Sequence, residues 1–244
     1  QMLAATQKRF DAFKQTGIGD GHRIGVLVEN RPVFYDIWFA LNALGASIVP
    51  INPDLRQAEL EYLIEHSEMA AAIVIRARKQ DIETAAAAAG CVLVVSEPEQ
   101  IMPSLPHKRQ AVLQSNRDHE CALLYTSGTT GRPKGCILSN LYYLNNGHWY
   151  GTVGGLVKIR PGQERMLTPL PLFHMNAMAT STMAMMMSGG CLTVLDRFHP
   201  KTWWDSVRAA RATIVHYLGV MPPMLMSAQP ADADRTHHVV FGFG

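Results

Sequence analysis

The chain has 244 residues, a net charge of +2, 48% hydrophobic residues and 17% charged residues. This is the make-up of a globular protein able to bury a large core, as one sizeable domain or two small ones, and it excludes disordered and collagen-like chains. A surplus of two positive charges gives no electrostatic footprint for nucleic acid or an anionic membrane, although one or two local charges suffice for a small anionic ligand.

The first residues, Gln1 to Gln15, read as a helix carrying Lys8, Arg9, Asp11 and Lys14 rather than as a signal peptide. Short apolar runs then alternate with helical patterns. The expected strands are Ile24–Glu29, Ser47–Ile51, Ala71–Ile75, Cys91–Val95, Cys121–Thr126, Met166–Leu170, Cys191–Leu195, Ile214–Leu218 and Val239–Phe241. Helical spacing links Phe34, Ile37, Trp38, Leu41 and Leu44, then Leu60, Leu63 and Ile64, then Trp203, Val207 and Ala210. The run Ala85–Ala89 is read as plain helix. Continuous apolar strands between helices predict an α/β fold with largely parallel sheets covered on both faces, and ligands at the carboxyl ends of strands.

The stretch from Glu97 to Asp118 holds Pro98, Pro103 and Pro106 without periodicity, so a boundary is expected there: one αβ subdomain over 1–115 and a second over 116–244. The span Met166 to Leu195 lacks Asp, Glu, Lys and Arg, but Pro169, Pro171, His174 and Gly189-Gly190 interrupt it, so it is read as a buried strand, loop and helix rather than a membrane span. The cysteines Cys91, Cys121, Cys136 and Cys191 form no CxxC pair, and free thiols in a reducing cytoplasm are expected.

The most informative segment is Tyr125-Thr126-Ser127-Gly128-Thr129-Thr130-Gly131-Arg132-Pro133-Lys134-Gly135, directly after a strand. Its glycines let backbone N–H groups converge on an anion, its Ser and Thr hydroxyls add neutral donors, and Lys134 adds a point charge suited to phosphate. It is not a Walker A loop, since Pro133 precedes the lysine and Gly135 follows it. A solvated Gly/Thr loop is the plain alternative. No G-x-S-x-G elbow is present, and His237-His238 lacks the spacing of a helical metal pair.

The segment 125–135 resembles the signature phosphate loop of the adenylate-forming enzymes, the superfamily of acyl-CoA synthetases, peptide-synthetase adenylation domains and luciferases. Further segments resemble the same family in order: Asn30-Arg31-Pro32, Pro50-Ile51-Asn52-Pro53, Leu170-Pro171-Leu172-Phe173-His174, Phe198-His199-Pro200 and Val220-Met221-Pro222-Pro223. The resemblance implies an ATP-dependent acid–thiol ligase. A carboxylate and Mg2+·ATP give an acyl-adenylate and pyrophosphate, and the acyl group then passes to CoA with release of AMP. It further implies that Thr126, Ser127, Gly128, Thr129, Thr130 and Gly131 wrap the β- and γ-phosphates, that Lys134 neutralises the leaving pyrophosphate, and that Arg132 faces solvent. His174 would lie where the acyl pocket meets the thiol tunnel. Asn176 and Met178 would face the acyl chain, Gly242 and Gly244 would begin a nucleotide- and acyl-lining loop, and His216 and Met221 are weaker pocket candidates. The methionines between Met175 and Met187 are otherwise read as core.

Within the superfamily, Phe198-His199-Pro200-Lys201-Thr202-Trp203-Trp204 resembles the acyl-CoA ligase branch acting on fatty acids or small carnitine-like acids. A carrier-protein-loading adenylation domain and a non-catalytic nucleotide-binding remnant stay open, as does a homodimer. The family's aromatic-Gly-x-Thr-Glu magnesium motif, ribose-binding Asp, hinge and C-terminal lysine are not found. The expectation is therefore an interior piece of a longer enzyme, without the C-terminal domain and inactive alone, that holds no metal ligands of its own.

Overall fold

The computed structural model describes residues 1–112, 115–126 and 132–244, residue 233 through its backbone only. The chain divides into two compact units, Gln1–Leu141 and Tyr142–Gly244. The expected boundary at 115/116 falls inside the first unit. The reason lies in the proline-rich stretch before it, which is pinned rather than loose. Leu105 N–H donates to the Thr16 carbonyl, Arg109 N–H to Gly17, and Val112 N–H to Leu44, while Asp20 N–H donates back to Gln110. Met102 and Leu105 are buried.

The first unit runs α1 (Met2–Thr16), β1 (Arg23–Leu27), α2 (Val33–Ala43), β2 (Ser47–Pro50), α3 (Gln57–Ser67), β3 (Ala71–Val74), α4 (Lys79–Ala88), β4 (Val94–Ser96), β5 (Glu120–Thr126) and β6 (Lys134–Ser139). They form one sheet in the order β4-β3-β1-β2-β5-β6. Every pair is parallel except β5–β6, which is an antiparallel hairpin. The parallel strands lie under helices, as their unbroken apolar runs require. Leu60, Leu63 and Ile64 of α3 and Ile82 and Ala85 of α4 share a core with Leu27, Val49, Val74 and Leu123. Trp38 of α2 donates its indole N–H to the Cys121 sulfur at 3.3 Å. Burial pushes that thiol up to about 12, which keeps it protonated and inert.

Strand β6 was not expected. Its sequence, Lys-Gly-Cys-Ile-Leu-Ser, begins with two poor strand formers and lies at the sheet edge with none of its residues fully buried, so no long apolar run marks it. The start of β5 is secured from the neighbouring strands. The Arg23 guanidinium grips Glu120 with two bonds of 2.8 and 2.9 Å, and the Ser47 hydroxyl donates to the same carboxylate at 2.7 Å. One carboxylate thereby ties together the starts of β1, β2 and β5.

The second unit takes up most of α5 (Asn140–Thr152), then β7 (Arg165–Thr168), a π-helical turn over Asn176–Ser181 that continues into α6 (Thr182–Ser188), β8 (Cys191–Val194), α7 (Trp203–Ala209), β9 (Ile214–His216), α8 (Met221–Met226) and β10 (Phe241–Phe243). Its four-stranded sheet has the order β10-β9-β7-β8 and is wholly parallel. The span Met166 to Leu195 folds as expected into strand, loop and helix. Ala184 and Met185 pack with Ile159, Met166 and Ile214, whereas Met186 and Met187 are exposed. Gly147 of α5 meets α6 closely: a β-carbon there would lie 2.8 Å from the Met183 carbonyl oxygen. The start of the sheet is tied by Glu164, which accepts from the Arg160 side chain at 2.6 Å and from the Thr213 hydroxyl. No helix among the described residues is long and apolar enough to cross a membrane.

Candidate functional site

In the first unit, the chemistry-bearing segment is carried by the β5–β6 hairpin. Cys121 to Leu124 are buried and fix β5 in the sheet, and its carboxyl end emerges at Tyr125 and Thr126. In the hairpin register Leu124 faces Cys136, Tyr125 faces Gly135, and Thr126 faces Lys134. The Thr126 hydroxyl and the Lys134 ammonium are thus brought to the same hairpin end by the final strand pair, and both residues are exposed. Directly opposed residues in such a ladder lie about 5 Å apart with side chains on one face. Ser127, Gly128, Thr129, Thr130 and Gly131 lie outside the described residues. Arg132 is exposed, with its guanidinium 5.4 Å from the Tyr62 ring centroid.

Two side chains of α3 also reach this hairpin, and no sequence motif marks them. The Tyr62 hydroxyl donates to the Pro133 carbonyl at 3.0 Å, and His66 Nδ1 lies 2.8 Å from the Tyr125 hydroxyl. Helical spacing marked Leu60, Leu63 and Ile64 as the buried stripe of α3. Tyr62 and His66 lie beside that stripe, where only the tertiary packing reveals a partner.

In the second unit, the candidates gather at the carboxyl ends of neighbouring parallel strands. His174 lies in the turn after β7. Its N–H donates to the Pro171 carbonyl and its own carbonyl accepts from Met178, so the Pro-Leu-Phe-His segment forms the lead-in to the π-helical turn. The ring is near that of Phe173, at 4.7 Å between centroids. His174 is exposed, yet partial desolvation by its surroundings lowers its pKa and favours neutral imidazole. Asn176 is half-buried and opens the π-helical turn. The Ser181 hydroxyl bonds back to the Asn176 carbonyl at 3.3 Å, and the Thr182 hydroxyl to Ala177 at 2.8 Å. Both bonds span five residues, which matches the wider turn; such π-bulges recur at functional sites.

Met178 is wholly buried, and its sulfur accepts from the Tyr143 hydroxyl at 3.5 Å. Met221 is buried as well. His216 ends β9, buried, with Nδ1 2.7 Å from the Ser181 hydroxyl and its ring stacked on Phe243 at 4.3 Å. Burial lowers its pKa to about 4. The Thr168 hydroxyl at the end of β7 donates to the His216 carbonyl at 3.1 Å, linking the two strand ends.

Gly242 sits within β10 opposite Val215, and Gly244 follows the strand. Strand rather than loop therefore occupies this stretch, two residues beyond the expected Val239–Phe241. Tyr217 crowds both glycines, at 242 together with Val215. A β-carbon at 242 would lie 3.0 Å from its ring, and one at 244 would lie 2.3 Å from its carbonyl oxygen.

The sheet order β9-β7-β8 means that the chain leaves β7 toward one side and returns on the other. The carboxyl ends of β7 and β9 therefore form a topological switch point, the usual ligand position in open parallel sheets. His174, Asn176, Ser181 and His216 all belong to segments at that point. Among the described residues no group of three or more His, Cys, Asp or Glu side chains could hold a metal ion.

A crotonobetaine/carnitine–CoA ligase from Salmonella agona (strain SL483) is 28% identical over 246 residues, covering 93% of this chain and 46% of the relative. The chain thus spans about half the length of the curated relatives it matches. Among solved structures, o-succinylbenzoate CoA synthetase (MenE) from Bacillus subtilis, in complex with the acyl-adenylate intermediate OSB-AMP, superposes with a TM-score of 0.80 at 19% identity, over 100% of this chain and 61% of that one. ATP-bound MatB from Rhodopseudomonas palustris gives a TM-score of 0.75 at 22% identity, over 93% and 45%. At these identities the structures establish a shared fold. The family model described as AMP-binding enzyme matches residues 7–244, and the chain belongs to that family.

Proposed function

We propose that the chain forms the nucleotide- and acyl-handling part of an ATP-dependent acid–thiol ligase. The observation that carries this reading is the Thr126–Lys134 pair closing the hairpin at the carboxyl end of β5, on either side of a loop rich in glycine and hydroxyl groups. An exposed hydroxyl and an exposed ammonium on one face suit the β- and γ-phosphates of ATP. The substrate carboxylate attacks the α-phosphorus, the bond to the bridging oxygen breaks, and pyrophosphate leaves with the negative charge. Lys134, Thr126 and the donors of 127–131 stabilise that developing charge, the role in which preorganised donors are worth most. The thiol of CoA then attacks the acyl carbon, AMP departs, and the thiol proton is lost. Mg2+ accompanies the nucleotide, and no residue of this chain is assigned to it.

His174 and Asn176 line the acyl and thiol side of the reaction, with Gly242 and Gly244 on the neighbouring strand. A histidine held toward its neutral form, as His174 is, can accept a proton near neutral pH. Met178 contributes from within the core, by fixing the π-helical turn through Tyr143. The acid is placed in the small carnitine-like or fatty-acid class, a reading supported by the crotonobetaine/carnitine–CoA ligase relatives. All four cysteines are free thiols, which supports the cytoplasm as the compartment.

The test is a pyrophosphate-release screen of the full-length gene product against betaine-type, short-, medium- and long-chain acids, with and without CoA. Acid-dependent release followed by CoA-dependent acyl transfer is the expected result. Transfer only to a carrier-protein thiol would select a carrier-loading enzyme, and no acid-dependent release would overturn the proposal.

A further inference from the structure

The β5–β6 hairpin raises a mechanical question. Strand β6 ends the sheet order and pairs only with β5 among the described residues, so the ladder secures it on one side. Pro133, just before it, has no N–H to give to any ladder. A lysine that must meet a phosphate at a fixed place needs its strand held at the end nearest the loop.

We propose that Tyr62 and His66 of α3 are positioning residues that grip the two flanks of the phosphate loop and so set the places of Thr126 and Lys134. They stand four residues apart, one turn on the same helix face, with ring centroids 5.1 Å apart. Each takes hold of one flank. Tyr62 donates its hydroxyl to the Pro133 carbonyl at 3.0 Å, one residue before Lys134. The same ring lies under the Arg132 guanidinium at 5.4 Å. His66 lies 2.8 Å from the Tyr125 hydroxyl, one residue before Thr126, with the two rings edge to face at 5.7 Å.

A glycine stands beside the route from Tyr125 to α3. Tyr125 is paired with Gly135, and a β-carbon at 135 would lie 3.3 Å from the Tyr125 ring and 3.0 Å from Leu123. The missing side chain gives the ring its passage. Both grips end in polar groups, the Tyr62 hydroxyl on the Pro133 carbonyl and His66 Nδ1 on the Tyr125 hydroxyl. The inference rests on the reading of 125–135 as a phosphate loop.

The test uses the full-length gene product with Tyr62→Phe, His66→Ala, the double variant, and His66→Asn, whose amide can reproduce the Nδ1 contact. A net hydrogen bond of this kind shifts a local opening equilibrium by about fivefold. Tyr62→Phe and His66→Ala should each raise amide exchange at Tyr125, Thr126, Arg132, Lys134 and Gly135 by about that factor, and the double variant by about the product. The rest of the sheet and the urea midpoint should hold close to wild type. In ATP–pyrophosphate exchange the KM for ATP should rise several-fold while the KM for the acid stays fixed, and His66→Asn should restore it. Unchanged amide exchange at Tyr125, Thr126, Arg132, Lys134 and Gly135 would overturn the grip. Raised exchange with an unchanged KM for ATP would overturn its positioning role. Lys134→Ala is the control: if it leaves the KM for ATP and the exchange rate intact, the phosphate-loop reading itself fails, and the proposal with it.

Discussion

The Ser181 hydroxyl and His216 Nδ1 lie 2.7 Å apart in the second unit, joining the last residue of a π-helical turn to the last residue of a parallel strand. The pair is buried, and His216 also stacks on Phe243. A charged imidazolium would lose its hydration there, which is why burial holds the pKa at about 4.

This relationship has a pH signature. An unfolded histidine titrates near about 6.5, so between that value and the folded one the unfolded chain binds more protons. The stabilisation is complete above the unfolded value and is lost as pH falls toward about 4. Its full size is on the order of 3 kcal/mol. His22 and His174 are shifted in the same direction. Urea midpoints across this range should fall with acid, and His216→Asn should flatten part of the fall. An unaltered acid limb in that variant would show that His216 does not carry it.

Lys134→Ala in the full-length gene product should lower acid-dependent ATP–pyrophosphate exchange by about 10²–10³, the usual cost of removing one preorganised donor from a developing negative charge. The residue is exposed at the hairpin end, so its loss should leave thermal unfolding unaltered. A rate within twofold of wild type would count against the phosphate role.

For His174, the expected consequence is a split between half-reactions. His174→Ala should slow transfer of the acyl group to CoA more than formation of the acyl-adenylate. Pre-steady-state measurement of each step separates them. Equal slowing of both would assign His174 to the fold of the turn rather than to the thiol side.

The Arg23–Glu120 fork is a stability element. Desolvation pushes the Glu120 carboxyl up, but bonds from Arg23 and Ser47 outweigh it and hold the pKa below the ordinary value. Its stabilisation is therefore present above the ordinary glutamate range and lost as pH falls through the depressed value. Glu120→Gln leaves Arg23 without its counter-charge and should cost about 1–3 kcal/mol, read as a lower urea midpoint. Catalytic constants at saturating substrate should be retained.

Gly147→Ala sets two effects against each other. Alanine favours helix by about 1 kcal/mol, but its β-carbon would lie 2.8 Å from the Met183 carbonyl oxygen and 2.5 Å from the Met187 sulfur. The backbone oxygen cannot swing away as a side chain can, so overpacking of about 1–3 kcal/mol should win. A rise in melting temperature would refute this packing.

Much of the architecture was legible before any coordinates. The strands at Ile24, Ser47, Ala71 and Cys121 announced themselves because a parallel strand buried on both faces must be apolar throughout. The segment 125–135 stood out as a candidate phosphate loop because its glycines, hydroxyls and lysine directly follow a strand and end in Pro-Lys-Gly. Strand β6 escaped because an exposed edge strand needs no apolar run. The boundary expected before β5 came from the prolines of 98–106, which resemble a linker, whereas Leu105 N–H donates to Thr16 of α1 and Val112 N–H donates to Leu44 after α2.

The sequence by itself determined the fold class, the family resemblance and the identity of Lys134 and Thr126 as candidate phosphate ligands. These follow from local composition and order along the chain. Only the tertiary structure decided that Thr126 and Lys134 close one hairpin, that His216 meets Ser181, that Met178 is core, and that Tyr62 and His66 hold the loop flanks. Each of those facts depends on strand register or on helix placement against a sheet. Contacts between residues 35 to 71 positions apart are set by packing of the whole chain, which no local pattern encodes.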